Sequence, residues 1–245
     1  MDRLRALARR HIPAARRRRL RRLANWPPVG AVRLGSLKRT RPISRNYGFE
    51  RGTPVDRYYI DRFLTKHASD VRGHVLEIGD DEYTRRFGGA AVTRSDVLHA
   101  TAGNPQATIV ADLADAPGIA DTTFDCVICT QTLLLIYDLE SAVATLRRIL
   151  KPGGVVLVTL PGVSRICREE ADEWGDYWRF TSDSANRLFG DEFGADSVRT
   201  EAYGNVLAAT ALLHGLAAEE VKPRRLDDRD RDFEVIVGVR AQRPA

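Results

Sequence analysis

Carboxylates stand at or near the ends of three short apolar runs. Val75-Leu76-Glu77-Ile78-Gly79 halts at an acid and a glycine, Ala90 to Thr93 leads to Asp96, and Ala107 to Ala111 leads to Asp112. A carboxylate at a strand end can accept both hydroxyls of a ribose. Glu77 precedes Asp96 by 19 residues, close to the ~20 that separate a nucleotide-binding loop from its ribose-binding acid. A second concentration of chemistry is Trp174-Gly175-Asp176-Tyr177-Trp178-Arg179-Phe180-Thr181. It places four aromatics, an acid and an arginine in eight residues of a chain that is only 7% aromatic. Such clustering reads as an acceptor pocket or lid, with a small satellite core under a long loop as the plainer alternative. His214 lies among Leu212, Leu213 and Leu216, where a satisfied core histidine is the plainer reading and a general base the sharper one.

Other residues of reactive type read as structural. Cys126 and Cys129 form a C-x-x-C, but positions i and i+3 of a strand point to opposite faces, which argues for buried thiols against a shared metal or redox pair. Gly162-Val163-Ser164-Arg165 lacks the second glycine of a nucleophile elbow. No G-x-G-x-x-G follows the first apolar run, so a nicotinamide-dependent dehydrogenase is disfavoured. No metal site is expected. Three cysteines give no disulfide framework and suit a reducing cytoplasm.

The elements that must position these groups alternate. Thr53-Pro54 reads as a helix start, with a capping hydroxyl and proline at the first helical position, followed by a stripe of Val55, Tyr58, Tyr59, Phe63 and Leu64. The three acid-tipped runs read as strands, and Phe124 to Cys129 as a fourth. Asp138 caps a helix whose Leu139, Ala142, Val143, Leu146, Ile149 and Leu150 share a face. Lys151-Pro152-Gly153-Gly154 stops it, and Val155 to Leu160 is a fifth strand. Thr181 starts another helix. Ser197–Tyr203 and Phe233–Arg240 read as strands flanking a helix over 205–219. Alternation of this kind implies a parallel sheet covered on both faces, with ligands beyond the carboxyl ends of its strands.

Charge divides the 245 residues in two. Residues 1–45 hold 15 Lys and Arg against Asp2 alone, a net of +14, whereas the remaining 200 carry −9. The first reads as a basic arm, partly helical or disordered, and 46–245 as one α/β domain. Arg-rich, acid-poor sequence such as 1–30 suits an anionic membrane surface, at ~1 kcal/mol per basic residue near the lipid. A solvated tail is the plainer reading. Nucleic acid is disfavoured, because Trp26 is the only aromatic before Tyr47. No apolar run approaches the ~18 residues of a membrane span.

From about Gly73 to Leu160 the chain resembles the class I S-adenosylmethionine-dependent methyltransferases, of the type 11 kind. The resemblance rests on Val75 to Gly79, Asp96, Asp112-Leu113, Phe124-Asp125-Cys126-Val127-Ile128 and Leu150-Lys151-Pro152-Gly153-Gly154. It implies a Rossmann-like, doubly wound, mostly parallel seven-stranded sheet with its last strand antiparallel, and S-adenosylmethionine as cofactor. It also implies that Glu77, Gly79 and Asp80 face the methionine moiety, Asp96 the ribose, Asp112 and Leu113 the adenine, with Thr130 and Gln131 beside them. The family's E-x-G-x-G-x-G is altered: Glu77-Ile78-Gly79 is followed by Asp80-Asp81-Glu82-Tyr83. Arg57, Arg85 or Arg86 is then the partner for the cofactor's carboxylate.

By the same resemblance Tyr137 faces an acceptor. Asp176 to Thr181 is similar to a segment of methyltransferases that accompany glycosyltransferases, which makes Tyr177, Trp178 and Arg179 acceptor-site residues; Trp174, from the aromatic clustering, and His214, from its residue type, are added to them. The expectation is a cytoplasmic, peripherally membrane-associated enzyme that methylates a small-molecule or glycan-type acceptor at oxygen. No catalytic residue declares itself; His214, Asp138 and Asp176 are the candidates for a base. The rival is a non-catalytic binding protein of the same fold, recruited by its basic arm.

Overall fold

The structure, a computed structural model, describes residues 27–29 and 31–245. Of the basic arm read over 1–45, residues 1–26 and 30, and with them nearly all of the stretch read as lipid-binding, lie outside the described residues. The chain divides into two units at Arg41 and Pro42. In the first, the described residues carry a 3-10 turn at Gly35–Leu37, none of it buried.

In the second unit, β-branched runs bounded by turns build seven strands. They are β1 (Gly73–Ile78), β2 (Val92–His99), β3 (Ile109–Val110), β4 (Phe124–Thr130), β5 (Leu150–Pro161), β6 (Val198–Tyr203) and β7 (Ile236–Gln242). One sheet holds them in the order β3-β2-β1-β4-β5-β7-β6. Strands β1 to β5 pair in parallel, and β7 runs antiparallel to both β5 and β6. This is the doubly wound sheet the resemblance implies. Its order reverses between β1 and β4, so a crevice opens beyond their carboxyl ends.

The second unit has six α-helices, α1 (Val55–Lys66), α2 (Leu139–Ile149), α3 (Arg168–Glu173), α4 (Ser182–Phe193), α5 (Val206–His214) and α6 (Pro223–Asp227), and all but α3 contribute to the core against the sheet. One core layer joins Ala142, Val143 and Leu146 of α2 and Ala185 and Phe189 of α4 to Leu76, Val127 and Val156 of the strands. The other joins Tyr59 and Phe63 of α1, Leu212 of α5 and Leu226 of α6 to Val75, Ile128 and Leu157. Each large side chain sealed in this way contributes about 1.5–3 kcal/mol. Cys126 belongs to the second layer and Cys129 to the first, on opposite faces as their spacing requires. Burial pushes both thiols up, that of Cys129 to about 12. Among the described residues no helix is long and apolar enough to cross a membrane.

The caps agree with the sequence at two helices. The Asp138 carboxylate accepts from the Ser141 amide, and Thr181 and Ser184 form a reciprocal capping box. They differ at α1, where the Thr53 hydroxyl donates to Glu219 at 2.7 Å and Pro54 itself stands at the cap position. Helix α5 stops at His214 because Gly215 turns left-handed, with φ of +65°. Strand β5 begins directly at Leu150, opposite Phe124, and the Lys151–Gly154 segment is an irregularity within it. Strand β2 begins at Val92 and runs three residues past Asp96 to His99.

Candidate functional site

Only one turn of the glycine loop keeps an open backbone. Gly79 has φ of +97°, and a Cβ placed there would meet nothing within 4 Å. Beneath it Glu77, 2% exposed, accepts the Tyr83 amide at 3.1 Å and the Thr84 amide at 2.7 Å. The carboxylate thereby caps a short helical stretch that runs into a π-helical turn at Thr84–Gly88. No long helix separates β1 from β2. Burial pushes Glu77 up to about 7 against the pull of those amides, and the charge of Asp80 adds to the rise.

Tyr83, where the related loops have glycine, does not stand at the rim. Its ring is buried in the α1-side core, stacked near Phe87, and its hydroxyl accepts from Arg57 Nη1 at 3.0 Å. Asp80 is exposed and accepts the Glu82 amide at 2.9 Å. Arg85 pairs with Asp81, and Arg86 forks onto Asp61 at 2.6 and 2.9 Å. Of the three arginines, only Arg57 has no carboxylate ion pair among the described residues.

Asp96 is corrected as the end of its strand. It sits opposite Leu76 in mid-sheet, 6% exposed, with His74 Nε2 at 2.6 Å and Arg94 Nη2 at 3.2 Å. Burial alone raises its carboxyl, but hydrogen bonds from His74 and Thr108 and the charge of Arg94 hold it below the usual range. The rim position belongs to His99. The Gly79 amide donates to Leu98 O at 2.9 Å and the Ala111 amide to His99 O at 3.1 Å, so β2 ends beside both neighbouring strands. Asn104, on the loop that follows, donates to Gly79 O at 2.6 Å and fixes the glycine turn. His99 and Asn104 escaped the sequence reading because an acid four residues into the strand imitates a strand end; the available signal was Val97-Leu98 continuing the apolar run.

The other residues expected at the rim lie at or after the ends of β3 and β4. Asp112 is exposed and accepts the Ala114 amide at 2.9 Å, while Leu113 is buried in the core. Thr130 ends β4, and Gln131 follows with φ of +50°, its amide donating to Thr159 O at 2.9 Å. A non-glycine residue held left-handed at a sheet's switch point stores on the order of 1 kcal/mol of strain.

The aromatic segment folds over the same edge. Trp174 meets the His99 ring edge-on, with centroids 6.0 Å apart. Tyr137, 71% exposed, packs against Tyr177 at 5.3 Å and Trp178 at 5.8 Å. Trp178 Nε1 donates to Ile136 O at 3.0 Å and the Tyr177 amide to Leu134 O at 2.9 Å, which ties the segment to the chain after β4. Arg179 forks onto Asp176 at 2.5 and 3.1 Å and also donates to Arg165 O. His214 is not brought into this cluster by any described contact. Its carbonyl accepts the Ile43 and Ser44 amides, and its Nδ1 is buried without a hydrogen-bond partner among the described residues. Asp138 is exposed and engaged as the α2 cap.

Residues 79–158 match the family model of a methyltransferase domain. The matched segment, about a third of the chain, is similar to a methyltransferase domain. A stretch of 53 residues is 43% identical to the reducing polyketide synthase AFT16-1 of Alternaria alternata, covering 21% of this chain and 2% of that relative's length. The [4+2]-cyclase SpnF shares the fold at 16% identity and a TM-score of 0.50, over 84% of this chain and 87% of its own. The N-methyltransferase NodS of Bradyrhizobium japonicum, in complex with S-adenosylhomocysteine, is 13% identical over 94% of this chain and 98% of its own, with a TM-score of 0.48.

The resemblance implies S-adenosylmethionine as cofactor, and groups near the Gly79 turn fit it. Gly79 leaves its backbone open to close approach, Arg57 has no carboxylate ion pair among the described residues, and Asp80 is exposed toward solvent. Arg57 would hold the amino-acid carboxylate and Asp80 the ammonium.

Proposed function

We propose that this methyltransferase domain transfers the methyl of S-adenosylmethionine to a hydroxyl of a small saccharide-type acceptor. The contact of His99 with Trp174 carries the reading, because it sets the aromatic segment beside the rim where a nucleoside would lie. When bound, the cofactor supplies an electrophilic methyl on a sulfonium; the protein aligns the nucleophile with it. Tyr137 and Tyr177 offer exposed rings to the C–H face of a pyranose, and Arg179, held by the buried Asp176 carboxylate and itself partly exposed, can donate to its hydroxyls. Titration calorimetry with S-adenosylmethionine and S-adenosylhomocysteine, followed by mass spectrometry of a saccharide panel, tests this. Binding of both and the gain of one methyl by a sugar are expected. No heat from either at millimolar ligand retires the enzyme reading.

The second reading is a non-catalytic module of the same fold, favoured by the loss of the later loop glycines to Asp81 and Tyr83. Cofactor binding without methyl gain by any acceptor would select it.

The arm of net charge +14 is assigned to anionic lipid. The full chain should float with phosphatidylserine vesicles and a chain lacking residues 1–30 should not; equal flotation of the two sinks this assignment.

A further inference from the structure

We infer that His99, and not Asp96, reads the ribose of the cofactor, and that it reads one hydroxyl where a carboxylate would read two. The inference rests on the proposed cofactor. Strand β2 ends at His99, level with the open Gly79 turn through the bond from the Gly79 amide to Leu98 O. This is the place a sheet of this topology gives to its ribose-binding acid. Asp96 is three residues short of it, and its carboxylate is turned to His74 and Arg94.

The hydrogen bonding of the ring fixes what it offers. Nδ1 lies 2.9 Å from Thr101 O, and the Thr101 amide stands further off at 3.4 Å. A carbonyl only accepts, so the shorter contact places the proton on Nδ1 and leaves Nε2 as an acceptor with one lone pair. No described residue hydrogen-bonds Nε2. The ring is half-buried and held edge-on by Trp174, so it is oriented before any ligand arrives. A ribose hydroxyl donates to that lone pair. An ionised carboxylate has two oxygens and accepts from both hydroxyls of a diol, which a single nitrogen cannot do.

Calorimetry of the full chain with S-adenosylhomocysteine and with its 2′-deoxy and 3′-deoxy derivatives tests the inference. For the wild type, loss of one hydroxyl should weaken binding about tenfold and loss of the other hardly at all. His99→Ala should weaken the parent ligand by the same factor and erase the difference between the derivatives, the non-additivity of a direct contact. His99→Gln, which keeps an acceptor at similar reach, should retain most of the affinity. His99→Asp should make both deoxy derivatives weak. Asp96→Asn should lower the melting temperature yet leave the affinity of the folded protein within about twofold, since the change falls on the pair with His74. Wild-type affinity in His99→Ala, or a tenfold loss in folded Asp96→Asn, overturns the assignment alone. Failure of the wild type to bind S-adenosylhomocysteine overturns the proposed cofactor and the assignment together.

Discussion

Relative to wild type, Glu77→Gln is expected to gain about 3 kcal/mol of stability between pH 4.5 and about pH 7. The cause is burial under the glycine turn, which raises the native-state carboxyl from 4.5 to about 7. Over that interval the native protein holds a proton that the unfolded chain has released. The contribution from Glu77 is therefore fully present below the unfolded value and is lost as pH rises through the folded one. Glutamine does not titrate and loses nothing over the same range. It also turns an amide toward the Tyr83 or Thr84 N–H, so it begins with a deficit of about 1–3 kcal/mol that does not vary with pH. Urea unfolding of both proteins at the two ends of the interval measures the change in their separation. A separation that stays constant would mean that the two amide donors, at 3.1 and 2.7 Å, keep Glu77 ionised throughout.

The same carboxylate shows what the sequence discloses and what it withholds. Val75-Leu76-Glu77-Ile78-Gly79 announces a strand and its loop because alternation, length and glycine all act locally. Helix α2 is equally open, with Asp138 as cap and one apolar face. The mostly parallel, doubly wound character of the sheet follows from alternation plus resemblance, and neither needs a contact between distant residues. What stayed hidden depends on such contacts. Asp96 resembles a strand end until His74, on the neighbouring strand, is seen to accommodate it in mid-sheet. Tyr83 resembles an obstruction in the glycine loop until Arg57 of α1 meets its hydroxyl and the ring is found in the core. Leu150-Lys151-Pro152-Gly153-Gly154 resembles a break, yet β5 starts at once, with Arg243 Nη1 donating to Leu150 O from the far end of the chain. The aromatic segment was found by composition, but its place against His99 and Tyr137 required the fold. His214 stood out by its type alone, and the described contacts place it with residues 43 and 44.

Gly162→Ala is expected to cost at least about 2 kcal/mol and to disturb the aromatic face as well. Gly162 follows β5 where three segments converge. Its amide donates to Val235 O at 3.0 Å, while the Phe180 amide donates to Pro161 O at 2.9 Å. An added Cβ would lie 2.0 Å from Glu234 O and 3.2 Å from Phe180 O, both backbone atoms that no rotamer change can withdraw. Either the Glu234 strand entry or the Phe180 segment must move. Glu234 cannot shift freely, because its carboxylate accepts from the Ser182 amide and hydroxyl at 2.7 and 2.6 Å and so anchors the start of α4. Moving Phe180 carries Trp178 and Arg179 with it. Gly118→Ala is the matched control: it lies outside the positive-φ set and a Cβ there meets nothing within 4 Å, so its stability should change by less than about 1 kcal/mol. Denaturant melts of the two variants, read by far-UV dichroism, give the stability difference. Near-UV dichroism of the folded fraction reports on Tyr137, Tyr177 and Trp178. If Gly162→Ala is as stable as Gly118→Ala with an unchanged near-UV spectrum, the three segments are not braced against one another, and the aromatic face does not depend on this junction for its position.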